Sequence, residues 1–371
     1  PFFPALFQIR LLDPWNFFTV WVGKYFTRDT VLLFNWNRVL CIFIYLVGTY
    51  CCLRQYARSL WTRLSLVPIL FFSSMALGTL QQDGILNQFL TAPWAIFFLL
   101  RLRNKSNDVT SAMGFAIAVG LSFQSYFYIG TLLCLLFFFL GFFLFQRPDF
   151  HQLVRSPHRL KVGVVLLFMA APNVALLSYG SHFTFLSRMA PADYQSLPPN
   201  GGPIPYEGSP NDVSFTSLPY SFARFTGGHS QVWDYLQMLA PEGNERTQWN
   251  RSLSFGSPSD AYLYLGISGF VVILVGWCFG TGRDKRIWAL ATILLALFTL
   301  GPPALFHGLI YFLPIGALRN PSQLVLFVQM GLLYFFVIGL DAVIKQQVTL
   351  RSFLWVIPFA LFGVLQLSLW T

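Results

Sequence analysis

Apolar residues run along this chain in blocks. The blocks fall at 37–53, 64–80, 88–101, 110–124, 125–146, 162–179, 261–280, 286–301, 323–344 and 352–370. Most have the ~17–25 residues that carry an α-helix across a bilayer. The pattern predicts an all-α polytopic membrane protein of about ten transmembrane helices. The third and fourth blocks are short, so tilt or a shift of several residues is expected there. The polar stretches divide the chain into four parts. Residues 1–36 form an amphipathic segment on the outer face, and 37–179 hold helices one to six. Residues 180–260 make a large extracytoplasmic loop, and 261–371 hold helices seven to ten. Within the last part, 302–322 reads as a re-entrant or interfacial segment, because non-helical backbone at that depth must be shielded by protein or line a wet cavity.

The polar positions between the blocks alternate in charge. Arg54, Arg58 and Arg63 follow the first block, and Arg101, Arg103 and Lys105 the third. Arg147, Arg155, Arg159 and Lys161 follow the fifth, Arg283, Lys285 and Arg286 the seventh, and Lys345 and Arg351 the ninth. Every second loop is basic, which is the positive-inside pattern. These loops and their helix ends carry fifteen Lys+Arg against four acids (Asp108, Asp149, Asp284, Asp341), a net of +11; the rest of the chain nets −1. Residues 1–30, 81–87, 180–260 and 302–322 are therefore expected outside the cytoplasm. A loop as long as 180–260 is usually functional.

Composition agrees with a membrane chain. Of 371 residues, 55% are hydrophobic and only 10% charged, with a mean hydropathy of +0.59. A soluble domain averages about 25% charged. A soluble enzyme, a disordered tail and a disulfide-rich module are excluded. The net charge of +10 raises the question of nucleic acid, but the excess lies in the loops facing the anionic leaflet. Membrane lipids, not nucleic acid, are the expected partners. Cys41, Cys51, Cys52, Cys134 and Cys278 lie in apolar stretches without zinc spacing, and the adjacent Cys51–Cys52 pair has poor geometry for a bridge. The chain begins with Pro1 and shows no signal-peptide pattern. It is expected to be a piece of a longer protein whose first helix lies upstream.

Candidate chemistry gathers on the outer side. Gln81-Gln82-Asp83-Gly84 closes the second block. A carboxylate at a bundle rim is a functional candidate if it faces inward; the competing role is a solvated helix end with Gly84 as its stop. Gly301-Pro302-Pro303 through Pro321 carries His307 and Arg319. Arg319 could hold a phosphate through its planar fork of donors, or snorkel to lipid headgroups. His307 is a weaker candidate, since a lone His near a helix end is commonly structural. In the N-terminal segment Asp13 and Asp29 are the only acids, and helix capping is favoured over catalysis for both. Gln124 and Tyr126, in Gly120-Leu121-Ser122-Phe123-Gln124-Ser125-Tyr126, can bond a sugar, with helix packing the favoured use. In the long loop, Tyr206, Glu207, Trp233, Asp234 and Tyr235 could bind carbohydrate or build a small core, and Asn250-Arg251-Ser252 fits a glycosylation acceptor. No GxxxxGK[ST], HExxH or GxSxG occurs. The spans hold few ionisable groups beyond Arg38 and Asp341 near their ends, which argues against a proton-coupled transporter.

The order of these parts resembles the YfhO-type bacterial membrane proteins of the GT-C glycosyltransferase superfamily. The likeness covers about 30–341. It rests on the acid-bearing loop at Asp83, Pro93-Trp94 before a basic loop, the 120–126 corner, Tyr264-Leu265-Gly266-Ile267, and Leu313-Pro314 through Leu318-Arg319-Asn320-Pro321. It implies a transferase that moves a sugar from a polyprenyl-phosphate carrier to an extracytoplasmic glycan, lipid or protein acceptor, in a bacterial inner membrane. It implies Asp83 as the second acidic position of the superfamily, with the first upstream of Pro1 or at Asp13. Those acids would act as general base or as ligands of a divalent metal ion (Mg or Mn). It implies Arg319 and Pro321 as part of Arg-x-Pro-x-Arg, with Gln323 standing where the second Arg falls. Two further readings stay open. One is a transporter or flippase of lipid-linked sugars, although no internal repeat is visible. The other is an O-antigen-ligase-like polymerase, for which the long loop supplies His182, Arg188, Arg224, His229, Arg246 and Arg251.

Overall fold

The computed structural model describes residues 21–72, 90–123, 128–169, 266–299 and 324–345. These residues form α-helices and short turns, with no strand among them. The helices are α1 (Thr30–Leu53), α2 (Leu60–Phe72), α3 (Ala92–Asn104), α4 (Val109–Phe123), α5 (Tyr128–Phe145), α6 (Arg147–Val154), α7 (Gly266–Phe279), α8 (Lys285–Thr299) and α9 (Val325–Ile344). A further helical stretch covers 159–169. Each lies on one of the apolar blocks, except α6, a polar helix in a basic loop. The segments 1–20, 180–260, 302–322 and 352–370 lie outside the described residues.

Two of the helices, Val31–Leu53 and Val325–Ile344, are long and apolar enough to cross a membrane. Four shorter ones, Leu60–Leu70, Val109–Ser122, Thr131–Phe145 and Ser268–Phe279, are equally apolar in character. Local signals explain several ends. Asp29 Oδ1 accepts from the N–H groups of Val31 (2.9 Å) and Leu32 (3.4 Å) and so starts α1. The helix therefore begins seven residues before the apolar block does. Pro93 and Pro148 sit in the first turns of α3 and α6, where a missing N–H costs nothing. Asp108 caps α4 through Ser111 N (3.2 Å) and Ser111 Oγ (2.6 Å).

Helix α9 forms the centre. It packs along α7 and α8 and touches α1 and α2. Of its most apolar window 78% is buried, against 25% for α1, which places α1 at the periphery. Its contact with α7 is backbone on backbone. A Cβ added at Gly276 would overlap the Phe335 carbonyl oxygen, and one at Gly339 would overlap the Val272 carbonyl. Gly331 makes the same allowance for Thr292 of α8. Small residues at helix crossings allow this close approach. Around α9, Trp288 stacks on Tyr334 with ring centroids 5.0 Å apart, and Tyr56 (4.8 Å from Tyr334) and Phe138 (4.7 Å from Trp288) meet the stack edge-on. Such pairs add about 0.5–1.5 kcal/mol each beyond area burial, and these tie α5, α8 and α9 to the turn after α1. All five cysteines are free thiols.

Four of the basic loops, and the end of α9 that leads into the fifth, meet at one end of the bundle. Tyr56 of the first reaches Asp284 of the fourth, as does Arg103 of the second. Gln146 and Asp149 of the third reach residues 283 and 284. Arg58, Ser59 and Thr62 of the first reach Asp341, just before the fifth. Ser106 and Asn107 bond Gln152, Ser156 and His158. These loops thus share one end of the described bundle.

Candidate functional site

The eight residues singled out as site candidates, Asp13, Gln82, Asp83, Gln124, Tyr126, His307, Arg319 and Gln323, all lie outside the described residues. The long-loop candidates Tyr206, Glu207, Trp233, Asp234 and Tyr235 lie outside them too. Two regions of the described bundle bear on function: the polar end formed by the basic loops, and the opposite end, where α9 begins.

At the basic-loop end, two carboxylates counted in sequence only among the charges of the basic loops and helix ends are buried. Asp284 is 1% exposed and Asp341 5%. Asp284 precedes α8 and receives three donors: the Arg103 guanidinium, Tyr56 Oη (2.8 Å) and Gln146 Nε2 (3.1 Å). Arg103 also lies over the Phe142 ring, 5.6 Å from its centroid. Burial, and then the Asp284 carboxylate, push the Tyr56 phenol well above its ordinary value, so it stays a donor. Asp341, at the last turn of α9, accepts from Arg58 N (2.6 Å), Ser59 N (3.1 Å) and Thr62 Oγ1 (2.6 Å). Ser59 Oγ in turn accepts from Thr62 N (2.9 Å). A carboxylate near the C-terminus of its own helix is unfavourable, but here it faces the N-terminus of α2, where a negative charge is favoured.

These two groups are clamps, not catalysts. Their lone pairs are occupied by donors from three separate segments in one case and by a helix start in the other. A buried pair that loses one partner costs about 3–5 kcal/mol, so the Arg103–Asp284 contact fixes the ends of α3 and α8. The solvent-facing pairs differ. Arg101–Asp108 and Arg283–Asp149 have Arg side chains 45% and 61% exposed and contribute at most about 1 kcal/mol each. The Ser111 hydroxyl and N–H hold the Asp108 carboxyl below the usual carboxylate range, with a smaller contribution from Arg101. The signal that could have located the clamps was weak: an acid inside a strongly basic loop, beside an aromatic-rich helix.

At the opposite end, α9 starts directly after the Leu318-Arg319-Asn320-Pro321 run. Leu324 and every residue through Met330 are buried. The helix thus begins at the centre of the bundle, and its N-terminal dipole end lies there. Tyr45 Oη donates to the Leu326 carbonyl (3.4 Å), and the Thr292 hydroxyl to the Trp288 carbonyl (2.6 Å). These two buried hydroxyls are bonded, whereas that of Tyr334 is not. Nor is Gln329: it is 0% exposed, and neither Nε2 nor Oε1 has a partner. Leaving such a group unpaired costs about 1–3 kcal/mol. The other buried side-chain atoms without partners among the described residues are Gln146 Oε1, Trp288 Nε1 and Tyr334 Oη. Gln329 went unremarked in the sequence, although it is the one amide within α9.

Among the described residues no three His, Cys, Asp or Glu come together in a way that could hold a metal ion. They supply no ligand set for Mg or Mn, and no step below runs through one. No family model, no curated protein and no solved structure matches this chain. The likeness to the GT-C superfamily therefore rests on the residues quoted for it.

Proposed function

We propose that the chain is a polytopic integral membrane glycosyltransferase of GT-C layout, lying in a bacterial inner membrane with its basic loops in the cytoplasm. It moves a sugar from a polyprenyl-phosphate carrier to a glycan, lipid or protein acceptor on the extracytoplasmic side. The observation that supports this reading is the convergence of four basic loops, with the end of α9 that leads into the fifth, on one end of the bundle. In an alternating chain the sequence segments holding Asp83, His307 and Arg319 are assigned to the other side, and Arg319-Asn320-Pro321 precedes the buried start of α9.

The chemistry suits these residue types. The acceptor hydroxyl attacks the sugar C1, and the C1–O bond to the lipid phosphate breaks. Asp83, or an acid at Asp13 or upstream, takes the hydroxyl proton as general base. Arg319 stabilises the charge that builds on the leaving phosphate. Gln82, Gln124, Tyr126 and Gln323 supply neutral hydrogen bonds to sugar or phosphate. The apolar grooves between helices hold the polyprenyl tail.

The test uses purified chain in nanodiscs, supplied with radiolabelled polyprenyl-phosphate hexoses and envelope acceptors. Asp83→Asn and Arg319→Ala are each expected to lower transfer at unchanged expression. Wild-type transfer in both variants would overturn the site assignment.

A further inference from the structure

We infer that Gln329 is a ligand-binding residue that reads hydroxyl groups of a sugar inside the bundle. This inference rests on the transferase reading and names a group within that same site. Three observations lead to it. Gln329 is fully buried, yet both ends of its amide lack partners. Two nearby buried hydroxyls, Tyr45 and Thr292, have theirs. Trp288 Nε1 and Tyr334 Oη are also unpaired, but only at Gln329 do a donor and an acceptor of one side chain both lack partners among the described residues. And Gln329 lies in the first third of α9, about 6 Å along the axis from Val325 and about 18 Å from Asp341, at 1.5 Å per residue. Helix side chains tilt toward the N-terminus, so the amide leans toward the end that follows Arg319-Asn320-Pro321, away from the clamps.

The chemistry of the amide selects the ligand class. Nε2 is a donor and Oε1 an acceptor, set side by side in one plane. A phosphate offers only acceptors and would leave Oε1 unpaired. An ammonium offers only donors and would leave Nε2 unpaired. A hydroxyl both donates and accepts, and two neighbouring hydroxyls on a pyranose ring present that pair at the spacing of a primary amide. Leucine would fill the same volume without a polar cost. The apolar neighbours Phe327, Val328, Met330 and Leu333 show what a helix selected for packing alone would carry.

The experiment compares wild type, Gln329→Leu and Gln329→Glu as full chains in nanodiscs. Thermal unfolding is followed without ligand, with polyprenyl phosphate alone, and with a panel of polyprenyl-phosphate hexoses. Transfer is measured on the same preparations. In wild type, a sugar-bearing lipid should stabilise more than the bare carrier. In Gln329→Leu, the ligand-free midpoint should equal or exceed wild type, because an unpaired amide has been removed. The extra shift from the sugar should disappear, with at least a tenfold weaker half-saturation. Gln329→Glu, held neutral by burial, keeps one donor and one acceptor and should retain part of the sugar-dependent shift that Gln329→Leu loses.

A clear fall in the ligand-free midpoint of Gln329→Leu would overturn the inference, since the amide would then be structural. So would a sugar-dependent shift that survives in Gln329→Leu, or a wild type that treats sugar-bearing and bare carrier alike. The two proposals separate cleanly. A Gln329-dependent sugar shift without any transfer sinks the transferase reading and supports this inference. Normal transfer in Gln329→Leu does the reverse.

Discussion

Replacing Asp284 with alanine would leave the Arg103 guanidinium buried without its counter-charge and remove the acceptor that Tyr56 and Gln146 share. The two charged side chains are 6% and 2% exposed, so water cannot screen the loss. A broken buried pair costs about 3–5 kcal/mol, and the Tyr56 and Gln146 bonds, near 1 kcal/mol each, favour the upper end. At about 2–4 °C per kcal/mol, as for a domain of this size, the midpoint should fall by roughly 6–20 °C. The assay is thermal unfolding of purified protein in mild detergent, followed by tryptophan emission. Arg103→Met should cost a similar amount, and the double variant should cost about 2 kcal/mol less than the sum of the two. Arg283→Ala, which breaks the exposed pair with Asp149, serves as control and should cost no more than about 1 kcal/mol. If Asp284→Ala and Arg103→Met each cost less than about 1 kcal/mol and add independently, the pair is solvated and the clamp does not exist.

Gly339→Ala forces a methyl group against the Val272 carbonyl and the Gly276 backbone; a loss of about 1–3 kcal/mol is expected in the same melts, whereas Gly163→Ala, with open space around it, should be neutral or better. Asp341→Ala removes the acceptor at the start of α2; about 2–3 kcal/mol should be lost, with faster hydrogen exchange at the Arg58 and Ser59 amides, and Asp341→Asn should lose less. Tyr56 has a raised phenol value because of burial and the Asp284 carboxylate. Its contribution is complete below the ordinary phenol value and declines as the pH climbs through that value toward the raised one, because only the unfolded chain ionises there. The melting temperature of wild type should therefore fall more steeply in that alkaline window than that of Tyr56→Phe.

The helices were legible because long apolar blocks need no partner to be recognised. Their ends were less so. The block at 37–53 starts late because Asn35 separates it from the apolar run at 31–34, while the helix itself begins at Thr30, fixed by the Asp29 cap. Asp29 as a cap was readable from its residue type alone. Basic loops far apart in sequence also come together at one end of the described bundle. The clamps were not readable. Arg103 and Asp284 lie 181 residues apart, and Asp341 meets Arg58 across 283. In a linear view each is one more charge in a charged loop, and only packing turns it into a buried partner. Gln329 was visible as an amide six residues into an apolar block, but its lack of partners is a property of the fold. The expected catalytic residues Asp83, Asp13 and Arg319 remain assignments of residue type and family likeness, together with His307, Gln82, Gln124, Tyr126 and Gln323.

The claim that clamps and reaction site occupy opposite faces of a membrane is tested most directly by sidedness. Single cysteines at Ser106, in a basic loop, and at Gly84, beside Asp83, are introduced into a chain whose five native cysteines are replaced by serine or alanine. Intact cells are then treated with a membrane-impermeant maleimide. The account predicts labelling at position 84 in intact cells and at position 106 only after permeabilisation. Labelling of both positions from the same side would contradict it.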